Sequence, residues 1–455
     1  MGVGMVNKVK NNPLITLQQR FALIDLSGEH RVIDLGRVAD FKAGNLIGDI
    51  TFYKRIEAEL KMKRYLESLP ISCNSRLIVA DFFMSPATIC FDCTAFTPLS
   101  TSSVTLNFWV GPITNAQQGS WVILENYLRE VICASDDASY EYLISFMAHM
   151  VQVPEEKPGV MIVLLGGQGT GKGVFFQLLN AIWPITTLLV SDSDQVVGRF
   201  NAALERSFAI CMDEALFAGD KKAMDRLKST VTEPLLRVEQ KYQPTRVIDS
   251  VHRFFAASNH DHFAQVDRDD SRFLFLRVSD IHKQDTHYFA QVVNAINDPQ
   301  ILRALLWDLE HIDLSSFNVR VRPKTPEHTN QKLKSLAGFD RFWYEILING
   351  CNPVDYSSMG FSTTDSWGDP IFVATNSLVQ AYKEHTRGTP IYQSIQSQQV
   401  VDRLKKLCPS AQAVRKNTNL SSVNNATRLR GFDLPFLTTA RQEFCEAIGD
   451  EVTWN

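Results

Sequence analysis

At 455 residues the chain is long enough for two to four domains with sizeable cores. Its 46 basic and 50 acidic side chains give a net charge of −4, which excludes a wholesale polycation and leaves nucleic-acid contact to local patches. Eight cysteines are scattered; only Cys90 and Cys93 have metal-ligand spacing, and with no second Cys or His pair beside them reduced structural thiols are expected rather than zinc.

Met1–Leu17 lacks the apolar core of a secretory signal, and Gly2 is not followed by the Ser or Thr of a myristoylation motif. No apolar run reaches the roughly 18 residues of a membrane span. A soluble cytoplasmic protein without membrane contact is therefore expected. Residues 14–35 read as a β-hairpin around Ser27-Gly28-Glu29. Residues 51–69 read as a charged amphipathic helix, and residues 77–112 as strand-like, ending in "LNFWVGP". Between 119 and 150, Trp121, Leu124, Leu128 and Val131, then Tyr142, Leu143, Phe146 and Met147, recur at helical spacing. Pro154 and Pro158-Gly159 then break the chain.

From residue 160 the texture is α/β. "VMIVLL", "FAICM", "RFFAAS" and "RFLFLRV" are apolar runs of the kind buried in parallel sheets. After Pro323, helices are expected near 338–348, 373–386 and 394–407. The expected organisation is a β-rich N-terminal region over 1–100 and a helical collar for oligomerisation over 101–158. A P-loop ATPase domain follows over 159–320, then a winged-helix-like domain over 321–455.

The run "GGQGTGKG" leaves a predicted strand and opens a predicted helix, as a phosphate-binding loop requires. Its glycines turn backbone N–H groups toward phosphate oxygens, and the helix N-terminus favours the anion. Gly166, Gly167, Gln168, Gly169, Thr170, Gly171, Lys172, Gly173 and Val174 are the candidate contacts, with Lys172 reaching the β and γ phosphates of ATP. Such loops usually carry a magnesium-binding Ser or Thr where this chain has Gly173. Magnesium keeps several waters, so a distant carboxylate can hold it. Asp213 is the candidate, acting on Mg2+ through water, and Glu214 would polarise the attacking water. Asn259, at the end of "RFFAASN", can bond the γ phosphate or that water. Arg268 and Arg272 are candidates for the Arg that ring ATPases send across a subunit boundary.

The order of loop, "DE", "SN" and Arg from Gly166 to Arg272 resembles superfamily-3 helicases, most closely the helicase part of phage and plasmid primase-helicases. "LNFWVGP" (Leu106–Pro112), Ala138–Pro158 and Leu429–Phe444 carry the same resemblance. It implies an AAA+ ATPase working as a homo-hexameric ring on single-stranded or forked DNA in phage, prophage or plasmid replication, and a Gly tolerated after the loop Lys. Too few residues precede the helicase region for a primase-polymerase, so a separate primase or polymerase would supply priming.

Residues 220–253 hold eight basic and five acidic side chains, and "LLRVEQKYQPTRVIDS" reads as strand, turn, strand. Lys241 and Tyr242 near its tip match the pore hairpin of superfamily-3 rings, where Lys meets phosphate and an aromatic ring meets a base. Residues 400–430 hold seven basic residues against Asp402. Lys405 and Lys406 there suit a winged helix on duplex or fork, or a solvated basic face. Two other functions stay open: an ATPase that loads or remodels a protein partner without unwinding, and a DNA-binding scaffold whose ATPase has decayed through Gly173.

Overall fold

A computed structural model describes residues 12–454 apart from 27, 215–220, 242–244, 264–269, 355, 358–359, 362–366, 388–395 and 419–426. The chain divides into two compact units, one of Met1–Phe263 and Ser271–Thr325 and one of Ala264–Asp270 and Pro326–Asn455.

The first unit opens with helix α1, Pro13–Arg20, not with a strand. Asn12 accepts a bond from the Leu14 N–H, and Pro13 occupies the first helical position. These two start signals overrule the β-forming content of "LITL". The expected hairpin follows as β1 (Phe21–Leu26) and β2 (Glu29–Asp34), paired antiparallel. Helix α2 (Leu35–Lys42), strand β3 (Phe52–Tyr53) and helix α3 (Arg55–Glu67) come next. The expected strand at 77–84 is instead helix α4, Ser75–Met84, whose N-cap Asn74 accepts from the Leu77 N–H. Only short strands β4 (Cys90–Phe91), β5 (Cys93–Ala95) and β6 (Thr105–Asn107) follow. Cys90 and Cys93 are exposed free thiols.

Helix α5, Val122–Asn126, runs into a π-helical turn, Tyr127–Ile132, and helix α6 spans Asp137–Gln152. Their apolar faces join the core of the parallel sheet. That sheet contains β7 (Met161–Leu165), β8 (Thr187–Val190), β9 (Ala209–Met212), β12 (Arg253–Ser258) and β13 (Phe273–Arg277). Its order is β13-β7-β12-β9-β8, with every pairing parallel. All the C-terminal ends therefore lie along one edge, and the first strand sits between the fourth and fifth, where a crevice opens. Helix α7 (Lys172–Ile182) leaves β7, and α8 is a short turn at Asp194–Val197. Helix α9 (Lys221–Thr232) precedes a separate antiparallel hairpin, β10 (Leu235–Val238) with β11 (Arg246–Asp249). Helices α10 (Thr286–Ile296) and α11 (Pro299–His311) close the unit.

The hairpin base is fixed to the segment before β9. Asn201 donates to the Arg237 carbonyl at 3.0 Å and accepts from the Glu239 N–H at 2.9 Å. Glu205 accepts two bonds from Arg246, at 2.7 and 2.9 Å, with both side chains buried.

In the second unit, α12 (Pro326–Ser335) and α13 (Gly338–Asn349) precede a two-residue hairpin, β14 (Tyr356–Ser357) with β15 (Gly360–Phe361). Then come β16 (Ile371–Ala374), α14 (Thr375–His385), α15 (Ser397–Leu407), β17 (Gln412–Thr418), β18 (Thr427–Leu434) and α16 (Leu437–Ile448). The three strands form an antiparallel sheet in the order β16-β18-β17. Phe342, Trp343, Leu378, Leu404, Phe432 and Phe444 form its core. Among the described residues, no helix is long and apolar enough to cross a membrane.

Candidate phosphate-binding site

The loop from Gly166 to Gly171 joins the C-terminal end of β7 to α7. Two of its glycines are required by backbone shape: Gly169 has φ +76° and Gly171 +96°, where L side chains are strained. Gly171 is also crowded, since a Cβ there would lie 2.4 Å from Cε1 of Phe289. Gly173 differs: a Cβ there meets nothing within 4 Å. The missing hydroxyl is thus a choice of residue and not of space.

Lys172 is buried at the first position of α7. Its Nζ donates to the carbonyls of Gly166 at 2.8 Å and Gly167 at 2.7 Å. Burial pulls its pKa below the ordinary lysine value, while Asp213 and Asp280 oppose that shift. The cation therefore sits within a loop of inward-turned backbone, at a helix N-terminus, with carboxylates within electrostatic reach. This arrangement can accept a phosphate.

Asp213 and Glu214 follow β9 directly, and both are exposed. The Asp213 N–H donates to the Val190 carbonyl at 2.7 Å, anchoring the turn to β8. Glu214 has φ +53°, an uncommon conformation for a residue with a side chain, and its N–H donates to Asp213 Oδ1 at 3.0 Å. Asn259 follows Ser258, the residue of β12 in register with Leu165 of β7. The Ser258 carbonyl accepts from the Gly166 N–H at 3.3 Å, so Asn259 lies beside the start of the loop. Lys172, Asp213 and Asn259 thus come from the same edge of three strands that neighbour one another in the sheet. Among the described residues, no group of three or more His, Cys, Asp or Glu is placed to hold a metal.

Arg272 stands elsewhere. It precedes β13, and its carbonyl accepts from the N–H of Met161, the first residue of β7. It therefore lies at the N-terminal edge of the sheet, opposite the loop, and cannot serve the loop of its own chain. Arg268 and Tyr242 fall outside the described residues. Lys241 is exposed beyond β10, and Lys405 and Lys406 are exposed on α15 in the second unit.

Two elements at the site were not anticipated from the sequence. The segment after β13 clasps the loop: Gln284, itself at φ +62°, donates its N–H to the Gly169 carbonyl at 2.9 Å. Lys283 Nζ lies 2.9 Å from where a Cβ of Gly167 would stand, and 3.4 Å from Asp280 Oδ2. Lys283 and Arg277 both act electrostatically on Lys172. The second element is the π-helical turn, from which the Tyr127 hydroxyl donates to the Gly171 carbonyl at 3.0 Å. Burial, helped by Tyr288, raises the Tyr127 pKa and keeps the phenol a donor. The "DIHKQD" charges at 280–285 were a usable signal for the clasp; nothing local marks Tyr127.

The model of a family of unknown function (DUF5906) matches residues 164–272, the span from the end of β7 to Arg272. The chain is similar to the DNA primase-polymerase of Nitratiruptor phage NrS-1, at 24% identity over 230 residues. That match covers 48% of this chain and 32% of the relative, so the chain spans about a third of the curated protein it matches. The apo structure of the NrS-1 C-terminal region superposes with a TM-score of 0.59 at 14% identity, over 93% of this chain and 99% of that one. Its A form apo structure gives 0.59 at 13% identity, over 92% and 98%. The mixed α/β fold of nearly the whole chain is thus shared with the C-terminal region of a phage DNA primase-polymerase.

Proposed function

We propose that the chain is an ATP-driven ring motor that unwinds DNA in the replication of a phage or related element. The observation that carries this reading is the juxtaposition of Lys172, Asp213 and Asn259 at one edge of β7, β9 and β12, with the loop between them shaped to enclose phosphate. The strand order, with the first strand between the fourth and fifth, supports an AAA+ core of superfamily-3 type. Similarity to a phage DNA primase-polymerase supports a replication setting.

Lys172 would leave its loop carbonyls for the phosphates of ATP, and the loop N–H groups would hold their oxygens. The residues also fit Mg2+: the open space at Gly173 and the exposed Asp213 suit an ion bound mainly by phosphate and water. The ion would supply charge neutralisation to the transferring phosphoryl group. Glu214 would orient water, and Asn259 would bond that water or the γ phosphate. From the far edge of the sheet Arg272 would reach ATP only across a subunit boundary, as in a homo-hexamer. Lys241 and Tyr242 would grip DNA in the ring; α13, β16, α14, α15, β17 and β18, with the β14–β15 hairpin inserted after α13, would form a winged helix; and a separate primase or polymerase would supply primers.

The test is ATP hydrolysis with and without single-stranded DNA, followed by displacement of a forked substrate. DNA-stimulated hydrolysis that disappears in Lys172→Ala, together with displacement, is the expected result. Hydrolysis without displacement would favour a loader or remodeller, and DNA binding without hydrolysis a scaffold. Template-directed nucleotide incorporation in place of displacement would refute the motor reading.

A further inference from the structure

The second unit contains a cleft of about 460 Å³ at which two helices begin. Thr375 and Asn376 of α14 and Ser397 and Gln398 of α15 line it. Neither helix has a side-chain cap on its first N–H groups, and neither carries an acidic residue in its first turn. Both helix ends therefore present uncompensated positive partial charge to one space.

Three cations line the same space: Lys405 from α15, and Arg428 and Arg430 from β18. Other basic residues nearby are already used by the fold, Lys416 by Asp433 at 2.5 Å and Arg403 by Asp340. Among the described residues, none of the three lining cations has an ion-pair partner. Arg430 also sits directly opposite Arg415 across the β17–β18 pairing. Like charges in that relation destabilise a sheet unless an anion comes between them. Among the described residues of the lining the only aromatic one is Phe432, which is buried in the core beneath. The described lining therefore offers charge and hydrogen-bond donors but no exposed ring on which an unpaired base could stack.

We infer that this cleft grips the sugar–phosphate backbone of duplex nucleic acid, with Lys405, Arg428 and Arg430 as its phosphate contacts. A duplex fits better than a single strand because its bases are already stacked and only its phosphates need partners. Contacts of this kind position a duplex without reading its sequence. The chemistry is separate from that of the ATP site and stands whether or not the chain hydrolyses ATP.

The experiment follows a fluorescent duplex by anisotropy on the full chain, without nucleotide, across a salt series. Lys405→Ala/Arg428→Ala/Arg430→Ala should lower the slope of log affinity against log salt by about 2.7, from roughly 0.9 per lost phosphate contact. Affinity at moderate salt should fall by about tenfold or more. Arg428→Lys/Arg430→Lys keeps the charge and should keep most of the binding, and thermal unfolding of each variant checks its fold. An unchanged slope and affinity in a folded triple variant, or no duplex binding by the wild type, would overturn the inference. Binding of single strands as tight as duplex, equally lost in the triple variant, would overturn the duplex assignment. Competition by inorganic phosphate or pyrophosphate as effective as unlabelled duplex, at equal phosphate concentration, would make this a free-phosphate site and overturn the nucleic-acid assignment.

Discussion

Gly171 and Gly173 stand two residues apart in one loop, and substitution should affect them in opposite ways. Gly171→Ala places a Cβ at φ +96° and 2.4 Å from the Phe289 ring. A left-handed residue with a side chain costs roughly 1–2 kcal/mol. Displacing a packed ring adds about 1–3 kcal/mol. Together these favour a relaxed loop by about 2–5 kcal/mol, and at about 1.4 kcal/mol per tenfold that weakens ATP binding by roughly 30-fold or more. Gly173→Ser meets no atom within 4 Å and has no positive φ to oppose. It replaces a poor helix former at the second position of α7, a gain of about 0.5 kcal/mol. Its melting temperature should rise slightly or stay level, and ATP binding and turnover should be retained. Titration with a fluorescent ATP analogue and thermal unfolding read both variants. Wild-type affinity and melting in Gly171→Ala, or loss of binding in Gly173→Ser, would refute this account of the loop.

Glu214→Gln should still bind ATP but hydrolyse it about a hundredfold or more slowly, as expected when a group positioning the nucleophile is lost; weaker binding instead would make Glu214 a ligand. Lys283→Ala should weaken ATP binding by about threefold to tenfold, the size of an ordinary hydrogen bond for this half-exposed side chain, with Lys283→Arg restoring it; equal affinities would remove Lys283 from the site. Glu205→Ala leaves the Arg246 guanidinium buried without its carboxylate and should cost about 3–5 kcal/mol in denaturant unfolding; a loss under about 1 kcal/mol would show that water reaches the pair. Burial, reinforced by Arg253, lowers the Lys157 pKa from 10.5 to about 7. Between those values the folded chain binds fewer protons at Lys157 than the unfolded one, so this group makes stability rise with pH across that window. Lys157→Met should flatten that rise, and an unchanged pH profile would contradict the assignment.

The sequence alone located the glycine-rich loop, the strand before it and the helix after it, because all three are encoded in one short window. The four runs "VMIVLL", "FAICM", "RFFAAS" and "RFLFLRV" are strands because each holds at least four consecutive apolar residues, as burial on both faces demands. Of the helices in the second unit, the sequence also marks α13, α14 and α15, but not α12 or α16. Where the local reading failed, a stronger local signal competed: the caps Asn12 and Asn74 start helices in stretches whose composition favours strands. Strand β8 escaped notice because "TLLV" is too short to show a period and becomes a strand only by pairing with β9. Tertiary structure alone decided which charges share the loop. Tyr127 lies 44 residues from Gly171 in sequence, and Gln284 reaches Gly169 from beyond the last strand of the sheet. Arg272 and Arg277 bracket the same strand, yet the parallel register sends them to opposite edges, one away from Lys172 and one toward it. Apart from the charges of "DIHKQD", no residue type or spacing marks such contacts, since they arise only when the packed sheet and helices bring distant segments together.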